Sequence, residues 1–406
     1  MQEFDKHNQE LSDNTLRGEY KVPGGKLVAV QLSTHSGHIT RLSLDGDFFI
    51  DGVDDPTQVV NYLENQLLAV SATAAMKQTQ QAFHHAQFVG LTAQAIDTAI
   101  ERALHSRSGE PSYTTEITSA PAATTVTPVS RATEEKITQL SPAWSAYDIA
   151  VLSDDTPQSP AMHMALDEVL AQQVADGKRG PTLRFWQWAH SAVVIGLHQS
   201  VSNEVDVQRA RELDIDVVRR MTGGGAMFIE PGNTITYSLY IPRDFLEGLQ
   251  GYEAYKRCDE WVLLALNNLG IDAHYKAIND ITSPAGKIGG AAQRQFRPSA
   301  GSRGPGCVLH HVTMAYDIDA SKMLEVLRIS REKSADKAVK SAAKRVDPLK
   351  SQTMLSRDEM VQALRGEALD ILPHSHADTV DAATQSQAQT LAKSKYSTTE
   401  WTYAIR

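Results

Sequence analysis

Residues 107 to 141 are rich in Ser, Thr, Ala and Pro and have no stable hydrophobic period. A stretch of that kind is expected to be ordered only in part and to serve as a linker. It divides the 406-residue chain into at least two folding units, 1–106 before it and 142–406 after it. The longer part can bury a substantial core. Two cysteines, Cys258 and Cys307, are too few for a disulfide framework or a structural zinc site. The N-terminus MQEFDKHNQELSDN has no basic segment followed by an apolar one, and no apolar run approaches the ~20 residues that span a bilayer. A cytoplasmic protein without membrane partners is expected. The formal net charge of −10 argues against a general nucleic-acid binder.

In the first unit, KLVAVQLSTHSGHITRLSLDGDFF alternates apolar and polar positions on both sides of Ser36-Gly37, which predicts a hairpin. Two segments with helical spacing follow, one opened by Pro56 and one over 91–106 with Thr92 as its cap, making a small α+β unit. The second unit begins near Trp144. An amphipathic helix is expected over Ala161–Val174, two paired strands around His190-Ser191, a helix over Glu204–Leu213 and a strand over Ile215–Val218. Another strand over Thr234–Ile241, a long helix over Tyr252–Leu269 and a strand over Gly306–Ile318 complete the pattern. Helices and strands alternate irregularly, so the fold class is mixed α/β (α+β) and not a doubly wound sheet.

Three stretches carry residue types suited to chemistry. RRMTGGGAMFIEPGN, residues 219–233, puts two arginines and three glycines directly after a strand. It reads either as a sharp turn or as a site where a phosphate or carboxylate meets backbone N–H groups, with Arg219 or Arg220 adding charge and Met227 and Phe228 forming an apolar rim. Neither a Walker loop nor GxGxxG is present. NDITSPAGKIGGAAQRQ, residues 279–295, sets Lys287 among small residues. It is either a hairpin turn with a solvated lysine or a site with room around an ammonium. In CVLHHVTMAYDID, residues 307–319, strand alternation sends His310 and His311 to opposite faces, so a metal pair is not expected. Cys307 is either a nucleophile with a neighbouring histidine or a packed side chain.

Taken in order, these motifs and the closing KYSTTEWTYAI resemble the lipoate–protein ligase A family of the biotin/lipoate ligase superfamily, over roughly residues 144–406. GHITRLSLDGDFF and the helices after it resemble the small accessory domain that such ligases often carry at the other terminus. The resemblance implies a catalytic domain of mixed β-sheets flanked by helices, and an ATP-dependent enzyme that activates lipoate or octanoate as acyl-AMP. The acyl group would then pass to a lysine of a lipoyl-domain acceptor, such as a 2-oxoacid dehydrogenase E2 subunit or the glycine cleavage H protein. It implies ATP, with Mg²⁺ accompanying it, and lipoate as substrate, with no resident metal. Lys287 is the implied catalytic lysine. Arg220, Thr222, Gly223, Gly224, Gly225, Ala226, Phe228, Asn233, Asn279, Asp280, Gly290 and His311 are the implied substrate and nucleotide contacts. The family's His-Asp pair after the glycine motif is replaced by Ile229-Glu230, and RQFRPSAGSRGPG, residues 294–306, is either a lid or a surface loop. Two competing expectations remain: an octanoyl or lipoyl transferase using Cys307 as a thioester nucleophile, and a non-catalytic lipoyl-domain binder. Residues 322–350 hold nine Lys or Arg against four Asp or Glu and are a candidate surface for an acidic acceptor.

Overall fold

The computed structural model describes residues 15–53, 55–68, 79, 83, 87–106, 135–153, 155–276, 278–328 and 346–405. Most of the basic stretch 322–350, and residues 107–134 of the expected linker, lie outside them. The chain divides into two compact units, Met1–Arg131 and Ala132–Arg406.

The first unit is a three-stranded antiparallel sheet of β1 (Leu16–Lys21), β2 (Leu27–His35) and β3 (His38–Gly46), with a second pair formed by β4 (Phe49–Asp51) and β5 (Gln87–Val89). Ser36 and Gly37 both have positive φ, as a two-residue hairpin turn requires. Helix α1 (Pro56–Leu67) packs against β3, and α2 (Ala93–His105) against β1 and β2. The Thr92 side chain accepts from Ala95 N, capping α2. The apolar residues of both helices and the inner sheet face, including Val28, Val30, Leu63, Ile96 and Ile100, form one core.

The second unit contains β6 (Ile149–Leu152), α3 (Pro160–Ala175), β7 (Thr182–Trp186), β8 (Ala192–Ile195), α4 (Val201–Glu204), α5 (Val207–Glu212), β9 (Asp216–Arg219), β10 (Met227–Ile229) and β11 (Thr234–Ile241). Then come α6 (Tyr252–Asn268), β12 (His274–Lys276), β13 (Asp280–Thr282), β14 (Lys287–Phe296), β15 (Cys307–Ala315), α7 (Ala320–Val326), α8 (Arg357–Ile371), β16 (Ser375–Asp378), α9 (Ala382–Leu391) and α10 (Thr399–Thr402). A large mixed sheet has the order β12-β13-β14-β15-β11-β7-β6-β16, and a small one the order β10-β8-β9. One face of the large sheet is covered by α6 and α8 through residues such as Tyr237, Trp261, Val262 and Leu364. The unit begins before the expected residue 142, because Glu135 exchanges two backbone hydrogen bonds with Tyr275 of β12. Among the described residues no helix is long and apolar enough to cross a membrane.

Three local expectations need correction. The strands expected to pair around His190-Ser191 enter different sheets: β7 is held on both sides by β6 and β11, and β8 by β9 and β10, so neither has an edge left for the other. The helix expected over 204–213 is two short helices, α4 and α5, separated by Val205, which bridges to Leu327. Helix α3 is buried on nearly every face, with His163 and Asp167 enclosed. It packs against Tyr240 and Leu309 of the large sheet, and against Val194 and Val218 of the small one. A helix between two sheets has no solvent face to be amphipathic towards.

The loop over 297–306 lies largely on the surface and is tied to the end of α3. Asp176 accepts from Ser299 N (2.7 Å), Ser299 Oγ (3.1 Å), Gln172 Nε2 (3.0 Å) and Lys178 Nζ (2.8 Å). Gly306 N donates to Ala175 O, and a Cβ on Gly304 would lie 2.2 Å from that same oxygen. Burial alone would raise the Asp176 pKa, but these donors outweigh it and hold the group below its ordinary 3.8. Because the folded-state pKa is the lower one, the stabilisation is complete above about pH 3.8 and is lost as pH falls through the folded value. Asp176→Ala should therefore lower unfolding stability by about 1–3 kcal/mol at pH 7, with the difference from the parent chain narrowing in acid urea titrations.

Candidate active site

Strand β9 and the residue after it deliver two arginines into a site where, among the described residues, neither meets a carboxylate. Arg219 is fully buried, and its guanidinium donates to the carbonyl oxygens of Gly196, Leu197, Gln199, Trp401 and Thr402 at 2.7–3.1 Å. Arg220 donates to Val194 O (3.1 Å), Gly223 O (2.6 Å), Gly225 O (2.9 Å) and Thr222 Oγ1 (3.0 Å). Burial pushes both guanidinium pKa values down to about 10, which leaves them charged at neutral pH. The sequence suggested an open arginine facing a ligand. The structure shows Arg220 gathering the glycine corner around itself, because several main-chain carbonyls turn inward there and need donors.

Within the corner, Gly223 and Gly224 are buried while Gly225 and Ala226 are partly exposed. Gly224 has φ +91°, and a Cβ on Gly196 would lie 2.0 Å from Gly224 O. The corner and the turn after β8 are thus stacked backbone on backbone, and Leu197 N donates to Thr222 O at 2.8 Å. Phe228 points into the core beside Val193 and Ile195 and offers no rim, whereas Met227 is partly exposed. Asn233 donates to Glu230 Oε2 (3.1 Å), and Glu230 Oε1 accepts from Lys322 Nζ (2.6 Å). Glu230, part of the Ile229-Glu230 departure from the family's His-Asp pair, therefore binds Asn233.

A buried chain joins the corner to β15. Thr222 Oγ1 lies 2.8 Å from His311 Nε2, and His311 Nδ1 lies 2.8 Å from Asp167 Oδ2. Asp167 Oδ1 accepts from Tyr240 Oη (2.5 Å), Ser238 Oγ (2.8 Å) and Arg184 Nη2 (3.3 Å). Burial alone would raise the Asp167 pKa, but the His311 hydrogen bond and the neighbouring charges prevail and hold it below the ordinary carboxylate value. His163 stacks on Trp186, accepts from Arg184 and has its pKa lowered to about 3, chiefly by burial. Asp167, Arg184 and Gly196 were not singled out from the sequence. A His and an Asp four residues apart in the largely apolar AMHMALDEVL was the available signal for Asp167.

Lys287 opens β14, with its ammonium 2.7 Å from Asp280 Oδ1 and its side chain 43% exposed. A Cβ on Gly290 would sit 2.9 Å from Lys287 Nζ, so the glycine leaves the space the ammonium occupies. The register pairs Gly290 with Thr313 and Ala292 with His311. Directly paired residues share a sheet face, so the ammonium over Gly290 lies on the same face as His311, roughly 7 Å along the strand. The opposite face takes His310, which bonds Asp259 and Gln293. Asn279 is buried and donates to Ala291 O at 2.6 Å, fixing the β13–β14 hairpin. Lys287, Asp280, Gly290, Thr222, the glycines and His311 are therefore brought to one side of the sheet, while Phe228 and Asn279 serve the scaffold. Two surface cavities of about 230 and 370 Å³, beside α9 and beside β6, involve none of these residues.

The family described as the lipoyl protein ligase A/B catalytic domain matches residues 159–368, just over half of the chain. The chain belongs to this family. Among relatives of this ligase/transferase family, it is 30% identical over 254 residues to lipoate-protein ligase A subunit 1 of Thermoplasma acidophilum, covering 62% of this chain and 95% of that one. It is 26% identical over 264 residues to octanoyltransferase LipM of Lysinibacillus sphaericus, covering 60% and 95%. Its fold matches a bi-partite lipoate protein ligase of T. acidophilum, described together with its E2 lipoyl domain, at a TM-score of 0.55 and 30% identity over 64% of this chain and 98% of that one. It also matches a lipoate-protein ligase A bound with ATP at a TM-score of 0.53 and 26% identity, over 64% and 100%. The mixed sheet flanked by helices is thus the lipoate ligase architecture.

Gly196→Ala should force the corner and the β8 turn apart, lowering urea stability by about 2 kcal/mol or more, because the clashing atom is backbone. Gly180→Ala, where φ is likewise not positive but the added Cβ meets open space, should change stability by less than about 1 kcal/mol. Equal losses would mean that the close backbone contact at Gly196 contributes nothing.

Proposed function

We propose that this member of the family is an ATP-dependent lipoate–protein ligase. The observation that carries the reading is the burial of both cysteines. Cys258 and Cys307 are each 0% exposed, and burial in the core pushes both thiols well above their ordinary pKa. Cys307 starts β15, enclosed between β14 and β11, and among the described residues no side-chain base is hydrogen-bonded to it. A thioester-forming transferase needs a reachable thiolate, and the chain has no third cysteine to supply one. An adenylate route needs none.

In that route the lipoate carboxylate attacks the α-phosphorus of ATP, pyrophosphate leaves, and the acceptor lysine then attacks the acyl-AMP carbonyl and displaces AMP. Both steps gather negative charge that a fixed ammonium can stabilise. Lys287 suits this role because it is held beside Gly290, on the same sheet face as the glycine corner, and is paired with one carboxylate at a partly open position. The exposed backbone around Gly225 and Ala226 would approach the phosphate. Mg²⁺ would arrive with the nucleotide, bound mainly by phosphate oxygens and water. The relative bound with ATP and the one described with an E2 lipoyl domain support the same substrates and acceptor class here. Octanoate in place of lipoate fits the same reading. The first unit would act as the accessory domain, excluding water from the labile anhydride.

Lys287→Ala should fold normally and lose lipoate-dependent pyrophosphate exchange by about 10²-fold or more. Cys307→Ser should keep most of that activity. A trapped acyl-thioester on Cys307, with no exchange in the parent chain, would replace the ligase reading by the transferase one. A chain beginning at Ala132 should transfer acyl groups from supplied lipoyl-AMP but make little of it from ATP. Adenylation at the full-length rate by that chain would remove the accessory role.

A further inference from the structure

We propose that Asp167 and His311 are positioning residues for the glycine corner, acting through the hydroxyl of Thr222. The proposal rests on reading that corner as the place where ligand meets backbone. Asp167 Oδ2 is an acceptor, so His311 Nδ1 carries the hydrogen between them. Burial, followed by the charges of Arg220 and His310, lowers the His311 pKa against the pull of Asp167, so Nε2 presents a lone pair. Thr222 O–H must then donate to Nε2 over the 2.8 Å between them. The Thr222 oxygen accepts from Arg220 Nε at 3.0 Å, and Nη2 of that same guanidinium grips Gly223 O and Gly225 O. One polarised series of bonds therefore runs from α3 through β15 to the carbonyls of the corner. Its direction is fixed at every step.

The histidine next to it shows that a buried His-Asp pair does not by itself reach the corner. His310 bonds Asp259 at 2.7 Å and Gln293 at 2.9 Å on the opposite sheet face, where Tyr237 also donates to Asp259. Those partners belong to strands and to α6, none to a loop. Its effect is confined to packing the sheet against α6. His311 instead reaches a loop in which three consecutive residues are glycine and bring no side chain to anchor it. A bond to a loop of that kind narrows the set of backbone conformations that a ligand would otherwise have to select.

The test is amide hydrogen exchange on the full-length chain, followed in peptides covering residues 219–229, together with steady-state kinetics. Thr222→Val removes both hydrogen-bonding roles at nearly constant volume, and His311→Asn keeps a donor towards Asp167 but cannot reach Thr222. Each should speed exchange in this segment roughly tenfold and raise KM for ATP and lipoate more than it lowers kcat. Thr222→Ser should restore both readouts. The double variant should be no worse than the stronger single one, as expected of residues on one series of bonds. His310→Gln should lower the melting temperature and leave exchange at 219–229 unchanged. Parent-like exchange in Thr222→Val, or additive effects in the double variant, would overturn the proposal, and Thr222→Val carries the test alone if His311→Asn does not fold. Faster exchange without any ATP-dependent activity in the parent chain would uphold the positioning role and remove the ligase reading instead.

Discussion

The carboxylate of Asp167 is the constraint around which the second unit is arranged. It sits inside α3, a helix with no solvent face, and an isolated charge there would cost several kcal/mol. Four side chains offset that cost, one from β7 (Arg184), two from β11 (Ser238 and Tyr240) and one from β15 (His311). Three strands of the large sheet are thereby referred to one atom group on the helix. A slip of any of them by one residue would turn its donor to the other face and leave the carboxylate unmet.

The arginines at the end of β9 solve the converse problem. Three segments bring main-chain carbonyls together at this point: the turn after β8, the glycine corner and the end of α10. Arg219 and Arg220 supply the donors. A guanidinium with five N–H groups in a plane can serve several carbonyls at once, which a lysine cannot. The positive charge that suggested a ligand contact thus has a prior use in holding the backbone that the ligand would meet. Lys287 differs in kind, since it is half open and, among the described residues, opposed by a single carboxylate.

Much of this was legible in the chain itself. The β2–β3 hairpin, the strand over 234–241, the long helix and the two faces of His310 and His311 follow from local spacing, because alternation and turn chemistry are local properties. The glycine corner, the hairpin carrying Lys287 and the membership in a lipoate ligase and transferase family were also readable, since short ordered motifs survive low overall identity.

What the tertiary structure alone decided concerns partners distant in sequence. Alternation says which residues share a strand face but not which strand lies beside it, so β7 and β8 read as a pair although each was claimed by other strands. The pattern of α3 likewise reads the same whether one sheet covers it or two. Arg220 and Phe228 look like ligand contacts as isolated residue types and become scaffold only once Val194 O and Ile195 are beside them. Sequence determines the chemistry each residue offers and its local conformation. Burial and long-range pairing decide whether that chemistry is spent inside the fold or remains for a ligand, because the cost of an unmet buried charge or carbonyl is set by neighbours that the local sequence does not name.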